Sequence, residues 1–232
     1  MTYFIGHHYL VEDKLHAMPL TTTALMNALE GVTYITDPDG IITACGEPGW
    51  KRALAASGSK ARLDPQQVIG RSLFDCITGE AVRDSYRVHM ERAADPRRHA
   101  RVFLYRCDTP DLIRVMRMAI TAVRDPDGTL TGFLFQTVVV QITERVPVAL
   151  FTFPAATEDT ASWPFLGMCS YCQNVRFPAG SKEGEGEWLD AIDYYRRGGD
   201  NAVVISHGVC PTCFATVVQD NLRNSLGQAD LT

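Results

Sequence analysis

Seven cysteines occur in the chain, and four of them fall in two matched pairs, Cys169-Ser170-Tyr171-Cys172 and Cys210-Pro211-Thr212-Cys213. A Cys-x2-Cys turn aims two sulfurs at one point, and a second such turn supplies the other half of the four-sulfur tetrahedron that zinc prefers in structural sites. Cys169, Cys172, Cys210 and Cys213 are therefore the expected metal ligands, and zinc is the expected ion. Pro211 suits a rigid turn, because its locked φ reduces the entropy lost when the loop closes round an ion. Four thiolates leave no open coordination position, so such a site stabilises and does not catalyse. Two disulfides, an iron–sulfur cluster and a coincidence of buried thiols are the competing readings. Nothing marks the chain as secreted, which weighs against disulfides. The two-plus-two spacing over a long insert lacks the tight cysteine runs of ferredoxins. His207, three residues before Cys210, is read as a supporting or capping group and not as a ligand.

No catalytic residues are expected. Paired acid and base groups, a phosphate loop or a nucleophile constellation cannot be located, and Ser206-His207, adjacent in sequence, is not a catalytic pair. Cys45, Cys76 and Cys107 read as small buried or half-buried side chains.

At 232 residues with 46% apolar content, the chain has room for one ordinary domain and a small second one. The net charge of −5 is spread out, and residues 163–232 hold five Lys/Arg against eight Asp/Glu, so nucleic acid is not the default partner. The apolar stretch from Val146 to Phe153 is broken by Pro147 and is too short for a bilayer. The first residues lack the basic start and apolar centre of a secretory signal. A cytoplasmic location without membrane contact is expected, in keeping with an odd number of reduced cysteines.

The elements that must carry these residues are legible from periodicity and turn chemistry. A short helix is expected from Thr23 to Glu30, with Leu25, Met26 and Leu29 as its apolar stripe and threonines before it as caps. Strands Val32–Thr36 and Ile41–Ala44 are joined by Asp37-Pro38-Asp39-Gly40, a turn in which proline presets one φ and glycine accepts a positive one. Short helices follow to about Phe74, then a longer one from Glu80 to Ala94 carrying Val82, Tyr86, Met90 and Ala93 at helical spacing. Three strands complete this half, Arg101–Asp108, Ile113–Val123 and Leu130–Thr143, with Asp125-Pro126-Asp127-Gly128 repeating the earlier turn. Met116, Met118, Ile120 and Ala122 alternate along one face and read as core. Prolines 147, 154 and 164 then mark an extended connection. Beyond it are expected a helix from Glu187 to Arg197 with Trp188, Leu189, Ile192 and Tyr195 on one face, covering the cysteine turns, a short strand from Ala202 to Ile205, and a final helix striped by Phe214, Val217, Val218 and Leu222.

Two strands, a helical insert and three strands in about 120 residues is an order that resembles the PAS domain family. The likeness is carried by the Asp37-Pro38-Asp39-Gly40-Ile41-Ile42 hairpin, by Val68-Ile69-Gly70-Arg71-Ser72-Leu73-Phe74 and by the strand pair around Asp125-Pro126-Asp127-Gly128. The resemblance implies an α+β fold, a five-stranded antiparallel sheet with helices on one face, a role in sensing ligands or binding partners, and a homodimer through the N-terminal residues and sheet. The cysteine motif of flavin-binding members is absent. Haem-binding members use a helical histidine, for which His89 is the candidate here. The four cysteines, Trp188 and Ser206-His207-Gly208 resemble a zinc-ribbon-like module at the C-termini of bacterial PAS proteins and response regulators.

The domain plan is thus an N-terminal extension (1–20), a PAS domain (21–145), a linker (146–164) and a four-cysteine zinc-binding module (165–232). The expected function is that of a non-catalytic bacterial signalling protein, in which a sensing or interaction domain is coupled to a structural zinc module that contacts a protein partner. The alternatives are a small-molecule, haem or flavin sensor acting through the PAS cavity, and a redox sensor acting through the four-cysteine site.

Overall fold

The computed structural model describes residues 21–57, 64–151, 160–182 and 184–219. The N-terminal extension expected over residues 1–20 lies outside them. Helix α1 (Thr22–Ala28) is capped by Thr21, whose hydroxyl accepts from the Ala24 N–H at 3.1 Å. Strands β1 (Val32–Thr36) and β2 (Ile42–Cys45) form the expected hairpin. The Asp37 carboxylate closes its turn by accepting from the N–H groups of Asp39 and Ile41 at 3.0 and 2.8 Å. Helices α2 (Glu47–Ser57), α3 (Pro65–Val68) and α4 (Glu80–Ala93) follow.

Strands β3 (Arg101–Arg106), β4 (Leu112–Arg124) and β5 (Leu130–Glu144) complete a five-stranded sheet in the order β2-β1-β5-β4-β3, every neighbouring pair antiparallel. The turn between β4 and β5 repeats the first one: the Asp125 carboxylate accepts from Asp127 and Thr129 N–H groups at 3.0 and 2.8 Å. Alternation along the strands turns Phe103, Met118, Ile120, Phe133 and Phe135 toward the core. Met118 and Ile120 are buried as expected, with Met116 and Ala122 half-buried beside them. Phe135, fully buried, stacks on Tyr34 at 4.7 Å between centroids, and burial of each such side chain contributes about 1.5–3 kcal/mol.

A second sheet holds the cysteine turns. Its strands β6 (Phe165–Cys169), β7 (Val175–Phe177), β8 (Glu187–Leu189) and β9 (Val204–Gly208) run in the order β8-β7-β6-β9, with β6 and β9 parallel. Helix α5 (Ala191–Arg196) packs on β7 and β8. The helix expected from Glu187 is therefore shorter and starts later. The Asp190 carboxylate accepts from the N–H groups of Ile192 and Asp193 at 2.8 and 3.0 Å and fixes the helix start, leaving Trp188 and Leu189 in a strand. The helix buries Ala191 and Tyr194 and exposes Ile192, and it packs away from the cysteines.

Pro211–Cys213 forms a single turn, α6, which passes into a π-helical turn, Phe214–Val218. The expected final helix beyond residue 219 lies outside the described residues. Val148 and Leu150, in the stretch expected to be a linker, are buried in a small core with Leu166, Met168, Val175, Tyr194 and Val203. A larger apolar cluster runs without a break from Phe103, Met118 and Phe135 to Cys169, Tyr171, Cys210, Cys213 and Val218.

Candidate metal centre and its seat on the five-stranded sheet

The two cysteine turns meet because β6 and β9 lie side by side in parallel, with Cys169 opposite Gly208 and Cys210 two residues further on. In the first turn the Cys169 carbonyl accepts from the Gln173 N–H at 2.9 Å and the Cys169 N–H donates to the Asn174 carbonyl at 2.8 Å. Gln173 takes a positive φ of 59° to make the reversal. In the second turn Cys210 precedes the helical turn α6, Pro211 takes its first position and the Phe214 N–H returns to the Cys210 carbonyl at 2.8 Å. Ser170 N–H donates to the Gly208 carbonyl at 2.9 Å and ties one turn to the other.

The four sulfurs lie within 4.8 Å of one another, and Cys172 and Cys210 Sγ are 3.8 Å apart. A tetrahedron with metal–sulfur bonds of about 2.3 Å has edges of about 3.8 Å, so a single ion fits the set. The thiolates of a multi-iron cluster bind different irons and stand farther apart. All seven cysteines are free of disulfides. Cys169, Cys210 and Cys213 are buried and Cys172 is half-buried. Two backbone N–H groups already point at sulfur, Cys210 N–H at Cys169 Sγ and Cys213 N–H at Cys210 Sγ, each at 3.4 Å. Hydrogen bonds from Cys172, Cys210 and Cys213, with that backbone N–H, hold the Cys169 thiol below the usual range, while the same sulfur contacts push Cys172 and Cys213 up, so the four sulfurs share their protons as one set. Among the described residues the four cysteines are the one group of this kind, and His207 is not part of it. Its half-buried ring is held below the usual histidine range by desolvation.

Tyr171, between the first two cysteines, carries the module into the larger core. Its hydroxyl lies 2.7 Å from Ser85 Oγ and 3.0 Å from His89 Nε2, both on α4. Arg101 Nε, which can only donate, points at His89 Nδ1 from 3.2 Å. Nδ1 is thus the acceptor and Nε2 holds the proton. The donors then run in one direction, Arg101 to His89 to Tyr171 to Ser85, and Ser85 donates to the Val82 carbonyl at 2.7 Å. His89 is completely buried and stacks on Phe103 at 4.2 Å. With both ring nitrogens engaged it has no free nitrogen for an axial haem bond, which corrects its reading as a haem candidate. Burial, reinforced by Arg101 and Arg92, pushes its pKa down to about 3.

Backbone contacts extend this seat. Arg106 N–H on edge strand β3 donates to the Tyr171 carbonyl at 2.6 Å, and Asp108 N–H donates to Gln173 Oε1 at 2.9 Å. Arg92 and Arg101 hold the carbonyls at the end of the π-helical turn, those of Val217, Val218 and Gln219. Guanidinium groups are favoured at such a terminus, where free carbonyls gather. Sequence periodicity finds none of this. The one local signal is a tyrosine placed between paired cysteines.

No curated protein matches the sequence. Among solved structures, the chain is similar to the PAS domain of BvgS from Bordetella pertussis, at 15% identity and a TM-score of 0.39, covering 51% of this chain and 83% of that one. It is similar to a sensory box sensor histidine kinase from Vibrio cholerae at 12% identity and a TM-score of 0.37, covering 51% and 88%. It is also similar to the Vibrio cholerae VqmA dimer at 16% identity and a TM-score of 0.38, covering 51% and 49%. A family model described as PAS fold matches residues 26–147, more than half of the chain and the span that holds all five strands of the large sheet. The chain belongs to the PAS-fold family.

Proposed function

We propose that the protein is a non-catalytic cytoplasmic signalling protein in which the PAS domain is coupled to a zinc-bound module that contacts a protein partner. The observation that supports this most directly is the insertion of Tyr171, flanked by metal-binding cysteines, into the hydrogen-bonded core of α4. A change at the metal turn and a change in α4 are then one event. Zinc suits four thiolates closed into a tetrahedron better than the harder cations, which take oxygen ligands. Among the described residues no helix is long and apolar enough to cross a membrane.

Metal analysis of the purified protein is expected to give one zinc per chain. Removal of that zinc by a chelator is expected to raise hydrogen exchange in α4 and β3 as well as in the cysteine turns. Unchanged exchange in α4 would refute the coupling. A homodimer through the sheet is part of the proposal. Val102 and Leu104, 39% and 54% exposed on the outer face of β3, are apolar surface suited to it. A redox reading is favoured by Cys172, the one half-buried thiol of the four. Retention of zinc under mild peroxide would dismiss that second reading.

A further inference from the structure

Between the two modules lies a cleft of about 250 Å³ that neither builds alone. Thr78, Tyr86, Phe103 and Tyr105 form its wall on the larger domain, and Ser170, Tyr171 and His207 close it from the metal-binding side. It lies beside the interior of the sheet, which Met118, Ile120, Phe133 and Phe135 fill, and shares Phe103 and Tyr171 with that core.

Two features of the lining define what it would accept. Asp, Glu, Lys and Arg are absent from it, so a charged occupant would lose its hydration without gaining a counter-charge. Burial keeps two of its titratable members neutral as well: the Tyr86 phenol is pushed up to about 12, and His207 is held below its ordinary range. Four aromatic rings, those of Tyr86, Phe103, Tyr105 and Tyr171, offer faces and edges to a flat ring. Thr78, Ser170 and Tyr86 bring hydroxyl groups, which suit a ligand with a polar substituent.

We infer that this cleft is a binding site for a small, neutral, aromatic or heteroaromatic molecule carrying one hydrogen-bonding group. The site rests on the seating of the metal module on the PAS domain, because three of its ten lining residues belong to that module. An occupant touches Ser170 and Tyr171, the two residues between Cys169 and Cys172, so the metal turn is part of the ligand's own contact surface.

The test uses the full metal-loaded chain with two isosteric probes, neutral benzamide and anionic benzoate, followed by calorimetry or saturation-transfer NMR. Benzamide is expected to bind, and benzoate at least about tenfold more weakly. Thr78→Trp, at an exposed rim position, is expected to weaken benzamide by about tenfold or more while the metal content stays at the wild-type value. Cys76→Phe, also at an exposed lining position, is a second filling variant should the first fold poorly. Failure of benzamide to bind, equal binding of benzoate, or undiminished binding by the filled variants would overturn the site. Metal analysis of the same samples separates the two proposals. A zinc-loaded protein that ignores benzamide rejects the site alone, whereas a metal-free folded protein that binds it rejects the zinc reading alone.

Discussion

Tyr171 and His89 hold the most consequence per atom. The one-way chain of donors leaves Tyr171 as the acceptor for His89 Nε2–H and the donor to Ser85. Tyr171→Phe strands both groups in a buried place, at a cost of about 1–3 kcal/mol in denaturant unfolding, while the four cysteines keep their metal. A loss below about 0.5 kcal/mol would show that the network carries no weight. His89 adds a pH dependence whose sign follows from its burial, reinforced by Arg101 and Arg92. The folded protein binds no proton there until about pH 3, whereas the unfolded chain takes one near 6.5. Stability is therefore full above 6.5 and falls as the pH drops from 6.5 toward 3, with a slope of up to about one proton. His89→Gln is expected to flatten that slope. Comparing variant and wild type by urea unfolding across the window cancels the contribution of the metal thiolates, and equal slopes would refute the assignment.

At the scale of elements, the loop between β3 and β4 is clamped by a buried ion pair. The Asp108 side chain is fully buried and accepts from Arg145 Nη1 at 2.9 Å, from Arg106, and from the Arg114 N–H at 3.2 Å. Arg145 lies just past β5, and its remaining donors reach the carbonyls of Thr109 and Pro110. Asp108→Asn leaves a nearly buried guanidinium without its counter-charge, and a loss of about 3–5 kcal/mol is expected in thermal or denaturant unfolding. A change under about 1 kcal/mol would mean that the other partners of Arg145 satisfy it without Asp108. Elements of this half were readable because each used a local signal: period-two strands, two Asp-Pro-Asp-Gly turns and a striped α4 all match the structure to within two residues. Residues 187–197 misled because Trp188, Leu189, Ile192 and Tyr195 mimic a helical stripe while spanning a strand, a cap and a helix. The clustering of the four cysteines was readable because their paired spacing encodes it. Ser85, His89 and Arg101 were not, since Ser85 and His89 meet Tyr171 across 86 and 82 residues of sequence, Arg101 joins them only through His89, and none follows a period.

For the whole molecule, the continuous apolar cluster joins the four-cysteine turns to the PAS core, so the proposed function makes metal binding and PAS folding parts of one equilibrium. Had the modules been joined by an extended tether alone, metal loss would leave the larger domain untouched. The seam offers a place to test this without altering a ligand. Gly79, at the start of α4, has φ +91°, and a Cβ there would lie 2.3 Å from the His207 carbonyl oxygen on β9. Gly79→Ala must therefore both adopt a disfavoured backbone and push the two modules apart, at a combined cost of about 1–3 kcal/mol. If the seam is shared, that strain also reaches β9 and the second cysteine turn, which begins two residues after it. Zinc is then expected to pass to a competing chelator more readily, by roughly tenfold for each 1.4 kcal/mol transmitted. Unfolding followed through Trp50 in α2 and through Trp188 in β8 is expected to shift together. Two separate transitions, with zinc affinity unchanged, would show instead that the modules fold independently and that the Tyr171 network is a contact without a linkage.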